Sequence, residues 1–170
     1  MRGARDEAAH PKYAHLEIER RWLVDPAAVA GLVLEDPIAI ADRYIIGTRI
    51  RLRRMQCGGE AVYKLTRKYR CEDAASRPIV TAYLDEDEHA VFAALPALPL
   101  VKTRFKLEHA VRAFSLDRFG GNLQGLWLSE IEWPSLSELA ALADPPWAMR
   151  DVTYDPAYQG ASLARSGIPE

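Results

Sequence analysis

The sequence predicts a mainly β domain, a barrel or a sandwich, with short helices set between its strands. Three observations carry this. Period-2 alternation of apolar and polar residues recurs in segments of strand length, at 15–24, 44–54, 61–69, 78–84, 100–108, 110–119 and 126–133, as half-buried strands require. The chain has 170 residues, which suits one compact domain and leaves little room for a second independent core. Helix signals are short and fall only between the alternating segments.

Taken in order, residues 1–14 are polar and unpatterned and read as a loosely held tail, as do 166–170. A single domain over 15–165 lies between them. Segment 15–24 opens that domain. Asp25, with Pro26 behind it, has the N-cap and N1 chemistry of a helix over 25–34. Segments 44–54 and 61–69 follow, separated by a Gly58-Gly59 turn. After segment 78–84, Asp85 opens an acidic-fronted helix over 85–95. Gly120-Gly121 turns the chain between 110–119 and 126–133, and Ser135 with Glu138 in capping-box spacing starts a helix over 135–143. Residues 152–163 read as a short cap over one end of the β structure.

Composition narrows the function classes. Hydrophobic residues make up 49% and charged residues 27% of the chain, which excludes disorder for its bulk. With 22 Lys+Arg against 24 Asp+Glu, the net charge is -2 and the pI is near 6.1. That balance argues against general nucleic-acid binding and against an anionic membrane surface. The longest mostly apolar stretch, 90–101, is broken by Pro96 and Pro99 and is too short to span a bilayer. The first ten residues lack the apolar core of a secretory signal. Cys57 and Cys71 supply neither a zinc-ligand pattern nor a disulfide framework. A cytoplasmic protein with reduced thiols is expected, and a homodimer stays open.

Residues i, i+2 and i+4 of a strand share a face. Glu17, Glu19 and Arg21 therefore lie opposite Leu16, Ile18, Trp22 and Val24, with Arg20 the exception on the apolar side. Arg49, Arg51 and Arg53 oppose Ile50 and Leu52. Lys64 opposes Tyr63 and Leu65, and Lys102, Arg104 and Lys106 oppose Val101, Phe105 and Leu107. Glu130 and Glu132 oppose Trp127, Ile131 and Trp133. A half-solvated sheet also alternates, but its polar face mixes the two signs. Here the signs are sorted by strand. If the sheet closes with these faces inward, Glu17, Glu19, Glu130 and Glu132 converge and call for a divalent cation, since crowded carboxylates repel. The bases then surround a polyanion, arginine by forked bonds and lysine as a point charge. A metal-bound polyphosphate is the ligand these faces imply.

The segment His15-Leu16-Glu17-Ile18-Glu19-Arg20-Arg21-Trp22-Leu23-Val24 resembles the ExExK opening strand of the CYTH domain, the triphosphate tunnel metalloenzyme superfamily. Arg49-Ile50-Arg51 resembles its RxR strand, Lys64 the lysine of the strand that follows, and Lys102-Thr103-Arg104-Phe105 its KxR segment. Asp117-Arg118-Phe119 resembles its aspartate strand and Glu130-Ile131-Glu132 its final ExE, so the resemblance runs in order over roughly residues 13 to 165. It implies an eight-stranded antiparallel β-barrel forming a tunnel, decorated with short helices.

By the same resemblance, Glu17, Glu19, Glu130 and Glu132 hold Mg2+ or Mn2+. Arg21, Arg49, Arg51, Arg53, Lys64, Lys102 and Arg104 hold the small-molecule triphosphate, and Glu19, Asp117 and Glu130 take part in the chemistry. Two departures stand out: Arg21 occupies the place of the family lysine, and segment 78–84 lacks the middle acids that many relatives carry. The expected activity is divalent-metal-dependent hydrolysis of a triphosphate, inorganic triphosphate first. The alternatives are a class IV-like adenylyl cyclase, a thiamine triphosphatase and a non-catalytic polyphosphate-binding module.

Overall fold

The computed structural model describes residues 11–170, and residues 1–10 of the expected N-terminal tail lie outside it. The strands are β1 (His15–Val24), β2 (Glu35–Ile45), β3 (Ile50–Cys57), β4 (Glu60–Lys68), β5 (Ser76–Leu84), β6 (Ala97–His109), β7 (Arg112–Phe119), β8 (Trp127–Glu132) and β9 (Ala148–Asp151). The order β5-β4-β3-β2-β6-β7-β8-β1 closes on itself because β5 also pairs with β1, and β9 adds to the far end of β1. The result is a closed eight-stranded antiparallel β-barrel. Closure removes the free edges that an open sheet exposes.

Two sequence expectations change. Segment 44–54 is not one strand: β2 ends at Ile45, residues 46–49 turn, and β3 starts at Ile50. The helix expected over 25–34 stops early, at α1 (Pro26–Val29), and β2 begins directly behind it. Asp36 and Pro37 break the alternation at the start of β2. There the register with β6 shifts between Glu35 and Ile38, and Asp36 takes φ 49°, so a bulge absorbs a proline that a regular ladder would exclude. The other two expected helices, α2 (Glu86–Ala93) and α3 (Leu136–Ala140), keep their positions, and a further helix, α4 (Gly160–Ser166), forms in and beyond the segment read as a cap. Helix α2 carries the full capping box between Asp85 and Glu88, and Ser135 caps α3.

The apolar residues form two cores. Trp22, Phe105, Phe114, Leu116 and Ile131 on the outer faces of β1, β6, β7 and β8 pack under Val29 of α1, Leu139 of α3 and Trp147. Arg20, the exception in the β1 pattern, clamps that cover. Its guanidinium donates to Asp151, Asp144 and the Leu142 carbonyl. The second core, Leu100, Phe119, Leu128, Tyr158 and Leu163, lies where α4 packs against β6, so 152–163 caps one end of the barrel. Among the described residues, no helix is long and apolar enough to cross a membrane.

Candidate functional site

The inward faces of the strands enclose a cavity of about 750 Å³ lined by residues from β1 through β6, β8 and α4, a volume typical of small-ligand sites. Register builds two walls from the alternation. On one, Glu19 faces Glu132 and Arg21 faces Glu130 across the β1–β8 pair. On the other, Arg53 of β3 faces Asp42 of β2, Lys102 and Arg104 stand two residues apart on β6, and Arg104 faces Asp117 of β7.

The acid wall is cross-linked by bases. Arg21 donates from Nε to Glu130 at 2.8 Å, from one Nη to Glu19 at 3.0 Å and from the other to the Tyr158 carbonyl at 3.0 Å. Glu130 also receives Arg104 at 2.6 Å, and Glu17 receives Lys68 at 2.5 Å. Burial works to raise the Glu130 carboxyl, but Arg21, Lys102 and Arg104 outweigh it and hold the group well below the usual carboxylate range. Glu17 is lowered in the same way, the charge of Lys68 and its hydrogen bond overcoming burial. Glu132 differs: burial, then the charges of Glu17, Glu19 and Glu130, push its carboxyl up. Acids that crowd this way are relieved by a cation.

The base wall is held by two buried carboxylates. Asp117, with 0% of its surface exposed, accepts Lys102 at 2.5 Å and both Nε and Nη2 of Arg104 at 2.7 Å. Asp42, 2% exposed, accepts Nε and Nη2 of Arg53 at 2.6 and 2.7 Å. Burial opposes the charge on Asp42, but the Arg53 bond and charge, with Arg51 behind them, keep it low. Burial pulls the Lys102 ammonium below its usual value against the opposing charge of Asp117. Tyr44, next along β2 on the same face, is pushed up to about 12 by burial and by Asp42.

The structure brings Glu17, Glu19, Glu130 and Glu132 to one cavity with Arg21, Arg49, Arg51, Arg53, Lys102 and Arg104. Two expected site residues stand apart from its lining. Lys64 shares the face of Arg53, but its Nζ lies 4.9 Å from the ring centre of Tyr83, and Lys68, two repeats of the same alternation further on, is the β4 base that lines the cavity. Asp117 is buried behind Lys102 and Arg104, whose side chains it accepts. Sequence reasoning missed Lys68, Arg77, Asp42 and Arg165. Lys68 was legible, since positions 64 and 68 share a face. Asp42 was not, because its strand was hidden by Asp36 and Pro37.

The oxygen donors of Glu17, Glu19, Glu130 and Glu132 suit a hard divalent cation, and their crowding at Glu132 gives such an ion a place in the charge balance. As the side chains stand, three of the four are bonded to bases, and among the described residues no cluster of His, Cys, Asp or Glu is disposed as a formed metal site.

No family model matches the chain. It is 35% identical over 65 residues to an inorganic triphosphatase of Acetivibrio thermocellus, a match covering 38% of this chain and about 40% of that protein's length. Among solved structures it resembles the inorganic triphosphatase NE1496 with 28% identity and a TM-score of 0.56, over 91% of this chain and 97% of that one. The PH1819 protein of Pyrococcus horikoshii, 18% identical with a TM-score of 0.57 over 74% of this chain and 82% of that one, shares the fold.

Proposed function

We propose that the chain is a CYTH-type triphosphate tunnel enzyme that hydrolyses inorganic triphosphate with a divalent metal. One observation carries the reading: a single cavity sets a wall of four glutamates against a wall of forked arginines and lysine, the two charges that a metal-bound polyphosphate presents. The likeness to NE1496 over nearly its whole length and the shorter match to the Acetivibrio thermocellus triphosphatase support it.

Glu17, Glu19, Glu130 and Glu132 would hold Mg2+ or Mn2+, which supplies Lewis-acid polarisation of phosphate oxygens and an acidified water. Arg51, Arg53, Lys102 and Arg104 neutralise the equatorial and leaving oxygens as charge shifts onto them. Arg49 stands exposed at the rim beside Lys68 and meets the entering anion. Glu130 is bonded to Arg21 and Arg104 and is a weak base there. Glu19, engaged by one Arg21 nitrogen, is the carboxylate placed to orient the attacking water. Arg21 ties Glu19 to Glu130 and helps hold the Glu130 carboxyl low. The protein is read as cytoplasmic.

The test is a panel measuring phosphate and cyclic AMP released from inorganic triphosphate, pyrophosphate, ATP and thiamine triphosphate, each with Mg2+ or Mn2+. Fastest phosphate release from inorganic triphosphate is expected. Cyclic AMP from ATP as the main product overturns hydrolysis in favour of a cyclase. Tight triphosphate binding without turnover favours a binding module.

A further inference from the structure

Asp42 is a buried acid on the wall that must bind an anion, where its charge opposes the ligand. A plain charge count would remove it. Yet its two oxygens take the Nε and Nη2 of Arg53 at 2.6 and 2.7 Å, and Arg51 Nε stands 3.9 Å from Oδ1. The Arg51 Nε is itself buried with no hydrogen-bond partner, an arrangement that costs free energy unless an acceptor arrives. A two-point fork fixes the plane of a guanidinium as well as its position. With Nε and one Nη2 hydrogen spent on Asp42, the remaining N–H groups of Arg53 have one direction left. Side-chain freedom that a ligand would otherwise have to remove is already gone.

We propose, resting on the triphosphate reading above, that Asp42 is a positioning residue for polyphosphate: it locks Arg53 in the cavity wall beside Arg51 so that the remaining Arg53 N–H groups meet a phosphate group. Nothing in the opening, RxR or ExE motifs includes it. It contacts no substrate and acts through the β3 arginines alone.

The prediction has a sign opposite to simple electrostatics. Asp42→Asn makes the cavity more positive by one charge, so a charge-only wall would bind inorganic tripolyphosphate more tightly. A positioning role forecasts weaker binding, about tenfold, ~1.4 kcal/mol, by calorimetry with Mg2+. Arg53→Lys keeps the charge but cannot fork, and is expected to match that loss. Because both changes break one bond, the double variant Asp42→Asn/Arg53→Lys is expected to bind within about threefold of the weaker single variant. Unchanged or tighter binding by Asp42→Asn, or multiplying losses in the double variant, overturns the proposal. If Asp42→Asn fails to melt cooperatively, Arg53→Lys carries the test, and unchanged affinity there overturns it as well. Wild-type protein that binds tripolyphosphate and releases no phosphate overturns the enzymatic reading while leaving this one standing. Wild-type protein that does not bind it overturns both.

Discussion

The two walls of the cavity keep their charges apart by different means. On the base wall, Arg53, Lys102 and Arg104 lean on Asp42 and Asp117, carboxylates that are themselves almost completely buried and lie behind the bases they hold. On the acid wall, Glu17, Glu19 and Glu130 are partnered by Lys68, Arg21 and Arg104, bases that also line the cavity. The base wall is therefore preassembled and the acid wall is held by exchangeable partners. Arg104 belongs to both, bridging Asp117 and Glu130. A polyphosphate that draws Arg104 and Lys68 toward itself frees carboxylate oxygens, and a cation that takes those oxygens frees the bases. On the proposed function, metal and anion would then favour each other's binding through shared side chains, a coupling that is reciprocal by linkage.

The largest expected effect breaks the link between the walls. Glu130→Gln removes the charge that holds Arg21 and Arg104 together, and turnover on inorganic triphosphate is expected to fall by about a hundredfold, ~2.7 kcal/mol in barrier, with divalent dependence weakened. Phosphate release against metal concentration measures it; wild-type dependence would sink the account of the acid wall. A similar energy should appear as stabilisation. Tripolyphosphate at a hundred times its dissociation constant, with Mg2+, stabilises by ~2.7 kcal/mol, and the melting temperature rises by about 5–10 °C. Either ligand alone should shift it less than half as far, and simple additivity of the two shifts would remove the coupling.

Arg21→Lys sharpens the comparison at one residue. Arginine here satisfies Glu130, Glu19 and the Tyr158 carbonyl with three nitrogens, and one ammonium cannot reach all three in that geometry. A loss of about 2 kcal/mol is expected, a melting temperature lower by about 4–8 °C. The shape of the pH–rate profile should stay unchanged, because neither side chain titrates near neutrality. A new titration in that profile would restore a proton-transfer role to the position.

The smallest effect has the opposite sign. The Glu132 carboxyl is raised in the folded protein, so its contribution is favourable while it is protonated and is lost as pH rises through that raised value. Glu132→Gln should therefore raise the melting temperature of metal-free protein slightly at pH 7, by under about 1 kcal/mol at this exposed position, and change nothing below about pH 4. The lowered Glu17, Asp42 and Glu130 behave in reverse. Their contribution is present above the ordinary carboxylate range and drains away as pH falls through their depressed values, so acid unfolding should be steep. Divalent affinity, measured by calorimetry, should fall in Glu132→Gln even as its stability rises; a fall in both would point to misfolding.

The local alternation of charge and apolar residues determined which side chains share a face. That was enough to place Glu17, Glu19 and Arg21 together, to pair Glu130 with Glu132, and to stack Arg51 with Arg53 and Lys102 with Arg104, since strand geometry repeats every two residues whatever the fold around it. The same pattern marked Arg20 as an exception, and the clamp over Asp144 and Asp151 is its reason. Depth along the barrel was beyond its reach. Lys64 and Lys68 are equivalent in period, and only strand stagger puts one over Tyr83 and the other against Glu17. Asp117 reads as an acid among acids until closure buries it behind two bases. Asp42 sits in a strand whose first residues carry a bulge, and the bulge is stabilised by pairing with β6, over fifty residues away in sequence. Period is a property of the backbone, whereas stagger, burial and the partner of each charge come from closing the sheet.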